Sequence, residues 1–169
     1  GGDDVSYGGR PKEGGCWREV MLAEIGPLPD RVHFTGRIPY RDYLALLQVS
    51  SVHLYLTYPF VLSWSMLEAM AAGAFVVGSA TAPVEEVIED GANGWVVPFF
   101  DTDTIAGRVA DALALRREGD PSRRAARETV VSRYALADWL EMQGIPGQPS
   151  ASRDAPYQQR LGTRFSAIP

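Results

Sequence analysis

Cysteine is almost absent from this sequence, with Cys16 the single example among 169 residues. One thiol excludes an internal disulfide framework and fits a reducing, cytoplasmic setting. Histidine is nearly as scarce: His33 and His53 each sit in a β-rich run, with no cysteine or carboxylate cluster at ligand spacing, so both read as structural and no metal or other cofactor is expected. No apolar run approaches the roughly 20 residues that a helix needs to span a bilayer, and the N-terminus has neither the basic region nor the hydrophobic stretch of a secretory signal. Membrane association is therefore not indicated. Positive charge is also short, at 16 basic against 21 acidic residues, and the net charge of −5 argues against a broad nucleic-acid-binding surface. No internal repeat is present. What remains, 46% hydrophobic and 22% charged, is the composition of one soluble globular domain.

The stretch that organises the chain is residues 52–73, VHLYLTYPFVLSWSMLEAMAAG. Its β-branched and aromatic opening, residues 52–57, suits a buried strand; Pro59 breaks the run, and residues 63–72 read as a helix. Strand, tight loop and helix start together make an anion-site geometry, because the first N–H groups of a helix have no internal partner and carry roughly half a positive charge.

Other elements alternate around it. Residues 1–15 are Gly-rich, polar and loop-like. Trp17, Val20, Met21 and Ile25 recur at helical spacing, predicting a short helix packed into the core and ended by Gly26-Pro27. Residues 31–36, RVHFTG, alternate and predict a strand ending in a turn at Gly36. Residues 40–49 predict a helix with Tyr43, Leu46 and Leu47 on one face. Residues 74–78 predict a strand, 83–89 a short helix burying Val84, Val87 and Ile88, and 94–99 a last strand. The acidic side chains Glu85, Glu86, Glu89 and Asp90 fall mostly on the opposite face of that short helix, as a solvated surface rather than as paired catalytic carboxylates. Asp101 or Thr102 caps a helix with an apolar stripe of Ile105, Val109, Ala112 and Leu113, closed by Gly119. Asp120-Pro121 opens another, running to about Leu140, on which Arg123, Arg124, Arg127 and Arg133 predict an exposed face. Past Gly144 the composition turns to Gly, Pro, Ser, Gln and Arg without periodicity. The expected organisation is a partial Rossmann-like domain over residues 1–143 and a disordered tail over 144–169. Alternating strands and helices imply an α/β fold, a parallel sheet with helices on both faces, and a ligand crevice where the loops 57–65, 36–39 and 79–82 meet at the carboxyl ends of the strands.

Three blocks carry a more specific signal: FTGRIPYRDYLALL, then YPFVLSWSMLEAMAAGAFVVGS, then TAPVEEVIEDGANGWVV. In this order they resemble the C-terminal, donor-binding domain of the retaining GT-B glycosyltransferases of family 4, over residues 31 to about 134. The resemblance implies a nucleoside diphosphate sugar as donor. Glu68 matches the second glutamate of a paired motif, whose carboxylate accepts hydrogen bonds from the ribose hydroxyls. The first glutamate falls at Phe60, which cannot accept hydrogen bonds from a sugar. Val61, Leu62 and Ser63 align with a Gly-rich turn that brings backbone N–H groups to the diphosphate, a task that Ser63, Trp64 and Ser65 can still perform through the main chain. Gly36, Arg37 and Ile38 match the nucleobase wall.

Glu68 also has a local reading, as the last member of a Ser65-Met66-Leu67-Glu68 capping box, and Ser63 and Ser65 have one as helix caps. Gly73 reads as a helix stop. The resemblance further implies an N-terminal acceptor-binding domain as partner and a first strand, helix and strand of the donor domain. None of these has a counterpart in this sequence, so the chain is expected to be a fragment. A non-catalytic nucleotide-binding module, or a remnant that acts through a partner, is the alternative, and an epimerase of the same fold is a third.

Overall fold

A computed structural model describes residues 3, 9–12, 15–58, 61–116 and 119–134. The expected tail, the end of the last helix beyond Tyr134 and the Pro59-Phe60 pair lie outside the described residues. The chain divides into two compact units, Gly1–Tyr43 and Leu44–Pro169.

In the first unit, α1 (Trp17–Ile25) forms where the 3.6-residue period predicts it. Glu19 turns back to accept from the Cys16 amide at 2.9 Å, and Gly26 ends the helix with φ +76°. The predicted core role of its stripe fails, since Trp17, Val20, Met21 and Ile25 are all exposed. Periodicity makes the helix, but burial needs a covering surface, and none of the residues of α1 is buried. Arg18 lies over the Phe34 ring at 4.9 Å without shielding it. Residues 31–36 are likewise not a strand. Alternation sorts side chains between two faces but supplies no ladder, and Val32 donates only to the Pro29 carbonyl in a turn. The division between the units falls within α2 (Tyr40–Val49), where Leu47 is buried and Leu46, expected beside it, is exposed.

The second unit holds a parallel sheet of β1 (Val52–Tyr55), β2 (Phe75–Ser79) and β3 (Trp95–Val97), in that spatial order. Val52 pairs with Phe75, and Val77 with Trp95. The α/β class and parallel sheet are as expected. On one face, Phe75, Val77 and Val97 pack with Ala112 of α5 (Thr102–Ala114), and Val52, Trp95, Ile105 and Val109 close around them. Asp101 is the cap, accepting from the Thr104 amide and hydroxyl, which hold its carboxyl below the ordinary range. Leu113 turns out to solvent and Leu115 takes its place, because one residue past Ala112 is about 100° around the helix.

Because side chains alternate along a strand, the other face carries His53, Tyr55, Val76 and Gly78. Val84 of α4 (Ala82–Glu85), with Val87 and Ile88 just beyond it, is buried there, and the four acidic residues of this segment are exposed as expected. Between β1 and β2 runs α3 (Trp64–Ala71), six of whose residues are buried. It ends as predicted at Gly73, φ +81°: Gly73 donates to Met70 and Ala74 to Ala69, the paired bonds that close a helix through a left-handed residue.

The arginine face of α6 (Pro121–Tyr134) corrects the sequence reading. Arg123 is buried, not exposed. It donates to the Gly73 carbonyl at 3.1 Å and lies over the Phe75 ring, while Arg127 donates to the Ala71 carbonyl. The last carbonyls of a helix need donors and favour a cation, and α6 supplies both. Only Arg124 and Arg133 behave as the exposed face that composition predicts, and Arg133 still reaches the Glu86 carbonyl.

Candidate functional site

The start of α3 stands at the carboxyl edge of the sheet, where loops after parallel strands gather. The loop that leads into it is pinned at both ends. At its beginning, the Ser79 hydroxyl, fully buried at the end of β2, accepts from the Thr57 amide at 3.0 Å and donates to the Thr57 carbonyl at 2.8 Å. At its end, the Tyr55 hydroxyl accepts from the Ser63 amide at 2.8 Å. Tyr55 is buried and stacks on His53, whose pKa burial lowers. Two of the three expected loops, 57–65 and 79–82, are thus brought together by direct bonds. Gly36, Arg37 and Ile38 belong to the first unit, and Phe60 lies outside the described residues.

The amides at the helix start are mostly committed. Ser63 is the N-cap: its amide goes to Tyr55, its hydroxyl accepts from the Ser65 amide at 3.3 Å, and its carbonyl accepts from the Met66 amide. Of the three amides that the sequence nominates, that of Trp64 takes no part in these bonds. The Ser63 and Ser65 hydroxyls lie 3.1 Å apart and half-exposed Trp64 stands beside them, with Val61 exposed and Leu62 partly covered. The site therefore offers one main-chain donor and a pair of hydroxyls.

Glu68 is buried, at 4% exposure, inside α3. With Ser63 as the cap, the third helical position is Met66, so the Ser65–Glu68 capping box does not form. Glu68 is the one charged residue in a run of six buried residues that is otherwise apolar.

Among the described residues no group of His, Cys, Asp or Glu is arranged to hold a metal ion, and no helix is long and apolar enough to cross a membrane. A groove of about 500 Å³ lies away from the α3 start, lined by Glu85, Glu86, Glu89, Glu128 and Arg133 with Asn93 at its base. Its acidic rim is the wrong sign for a phosphate. The buried Asn93 is occupied in holding the segment together, accepting from Glu89 and donating to Val87 and Thr129.

Tyr55 and Ser79 are the site residues that sequence reading missed. Their signal was present: each is a hydroxyl ending a strand whose other members are mostly apolar.

The model of the family described as glycosyl transferases group 1 matches residues 18–129. A Salmonella typhimurium protein named as a colanic acid biosynthesis glycosyltransferase, WcaL, is 29% identical over 105 residues, covering 57% of this chain and 26% of that protein. An uncharacterised glycosyltransferase of Methanocaldococcus jannaschii is 32% identical over 68 residues, covering 40% of this chain and 17% of that protein. This chain thus spans about a quarter or less of the curated relatives it matches. Among solved structures, sucrose-phosphate synthase from Thermosynechococcus elongatus superposes with a TM-score of 0.62 at 23% identity, covering 95% of this chain and 38% of that one, which establishes a shared fold.

Proposed function

The chain belongs to the group 1 glycosyltransferase family, and from that premise we propose that it forms the donor side of a retaining, family 4 enzyme of the GT-B type. It binds a nucleoside diphosphate sugar in the cytoplasm, for transfer of the sugar to an acceptor held by an N-terminal domain of the longer protein. The observation that carries this reading is Glu68, a buried carboxylate one turn inside a helix whose N-terminus lies at the carboxyl edge of the sheet. Its role is to accept the ribose hydroxyls. The diphosphate meets the Trp64 amide and the Ser63 and Ser65 hydroxyls, with Val61 and Leu62 forming the turn. Gly36, Arg37 and Ile38 are the nucleobase residues that the resemblance nominates. No metal takes part: stabilisation of the leaving diphosphate comes from oriented donors and the positive end of α3.

Phe60 favours a second reading. Where the resemblance has a glutamate for the donor sugar, this side chain offers no acceptor, which fits a module that binds the nucleotide without transferring the sugar.

Calorimetric titration with UDP, GDP and ADP tests the donor reading. Charge-assisted hydrogen bonds contribute roughly 1.5–3 kcal/mol, so Glu68→Gln should weaken the preferred nucleotide by about tenfold to a hundredfold. Unchanged affinity in that variant, or full affinity of the parent for a dideoxyribose analogue, would remove the ribose role. Sugar turnover by the longer protein separates the enzyme from the binding module.

A further inference from the structure

We propose that Tyr55 and Ser79 are positioning residues for the donor diphosphate, an inference that rests on the donor-binding reading above. The loop from Thr57 to Ser63 is the segment that must present a helix start to the ligand. A buried hydroxyl holds each of its ends: Ser79 grips both main-chain groups of Thr57 from the neighbouring strand, and Tyr55 grips the Ser63 amide. Both come from strand ends, so they tie Thr57 and Ser63 to the sheet before any ligand arrives. Preorganisation of this kind raises affinity by reducing the ordering cost of binding.

Tyr55 does a second thing. By accepting the Ser63 N–H it takes one main-chain donor out of the anion site, and the Ser63 hydroxyl takes the Ser65 amide in the same way. Phosphate recognition is then left to the Trp64 amide and the paired serine hydroxyls. The tyrosine hydroxyl sets where these groups point, through Ser63, without touching the ligand itself.

The test compares a nucleoside with its diphosphate. Take whichever of UDP, GDP or ADP the parent chain prefers, and titrate that diphosphate and its parent nucleoside against the unaltered chain and against Tyr55→Phe, which keeps the ring and removes only the acceptor. The expected result is a five- to tenfold loss of diphosphate affinity with nucleoside affinity unchanged. A merely structural Tyr55 would lower the melting temperature and move both ligands together or neither. Equal effects on the two ligands, no effect on either, or tighter diphosphate binding from the released amide would each overturn the proposal. Amide hydrogen exchange supplies a second measurement that does not depend on the variant folding: the Ser63 amide of the unliganded parent should be protected, and rapid exchange there would overturn the brace directly. If the parent binds nucleoside and diphosphate equally, or neither, the donor reading itself fails, which is distinct from a parent that prefers the diphosphate and a variant that keeps that preference.

Discussion

Helices α1 and α3 are near equals by composition and opposites by environment. Each is short, begins with tryptophan and carries methionine and leucine, yet α1 has no buried residue and α3 has six. What separates them is company. The described part of the first unit has one complete helix and irregular chain, whereas α3 lies among two strands and α6, whose arginines close its carbonyl end. A helical period is a local property of the sequence, while the free energy gained by burial belongs to the neighbours.

The sharpest way to test this contrast uses one residue type in both settings. Met66 is fully buried and Met21 is half-exposed. Met66→Ala should cost about 2–5 kcal/mol, from lost transfer energy and the cavity left behind, whereas Met21→Ala should stay within about 0.5 kcal/mol. Urea unfolding of the two variants measures both. Comparable losses would mean that α1 is covered as well as α3.

A smaller effect is expected from the link that α1 lacks. Arg123→Leu keeps bulk over the Phe75 ring but removes the donor to the Gly73 carbonyl, leaving a partly buried acceptor short of a partner. Because that carbonyl is only partly buried, about 1–2 kcal/mol should be lost in the same assay, with the m-value unchanged. A neutral result would make Arg123 a packing residue only.

An effect no larger should ignore the contrast altogether. Gly26 and Gly73 end α1 and α3 with φ of +76° and +81°, and an added Cβ would meet nothing within 4 Å at either. Replacing each by alanine should cost about 1–2 kcal/mol, because the penalty of a positive φ falls on the residue's own backbone, left-handed at Gly73 and in a glycine-only region with ψ −164° at Gly26. Melting curves that separate the two variants by more than that would show the caps reporting on their surroundings.

The same division between local and relational properties explains what could be read from the sequence. The sheet strands, the six helices among the described residues and the caps at Ser63, Asp101 and Gly73 were legible because periodicity, capping side chains and glycine act within a few residues. The failures required a neighbour to be known. Residues 31–36 alternate as a strand does but have no ladder, and Leu113 satisfies the apolar stripe while facing solvent. Arg123 looked exposed only because the carbonyls it serves are fifty residues away in sequence. The site shows the same pattern: Ser63 and Trp64 were visible as a helix start, whereas the hydroxyls that hold their loop come from strand ends and carry no motif. The placement of Gly36, Arg37 and Ile38 in the proposed site remains a statement of resemblance.

Strand order in the sheet is also strand order in the chain, β1-β2-β3, and this has a kinetic side. Each ladder closes a loop of about twenty residues with a helix inside it, and closure entropy grows only slowly with loop length. Neither pairing waits for a distant segment, so on an emerging polypeptide β1 can find β2 before β3 exists, and the arrival of α6 then locks an already formed strand–helix–strand unit. Assembly from one end, with the loop before α3 enclosed in the first ladder to close, is the folding route that this topology favours.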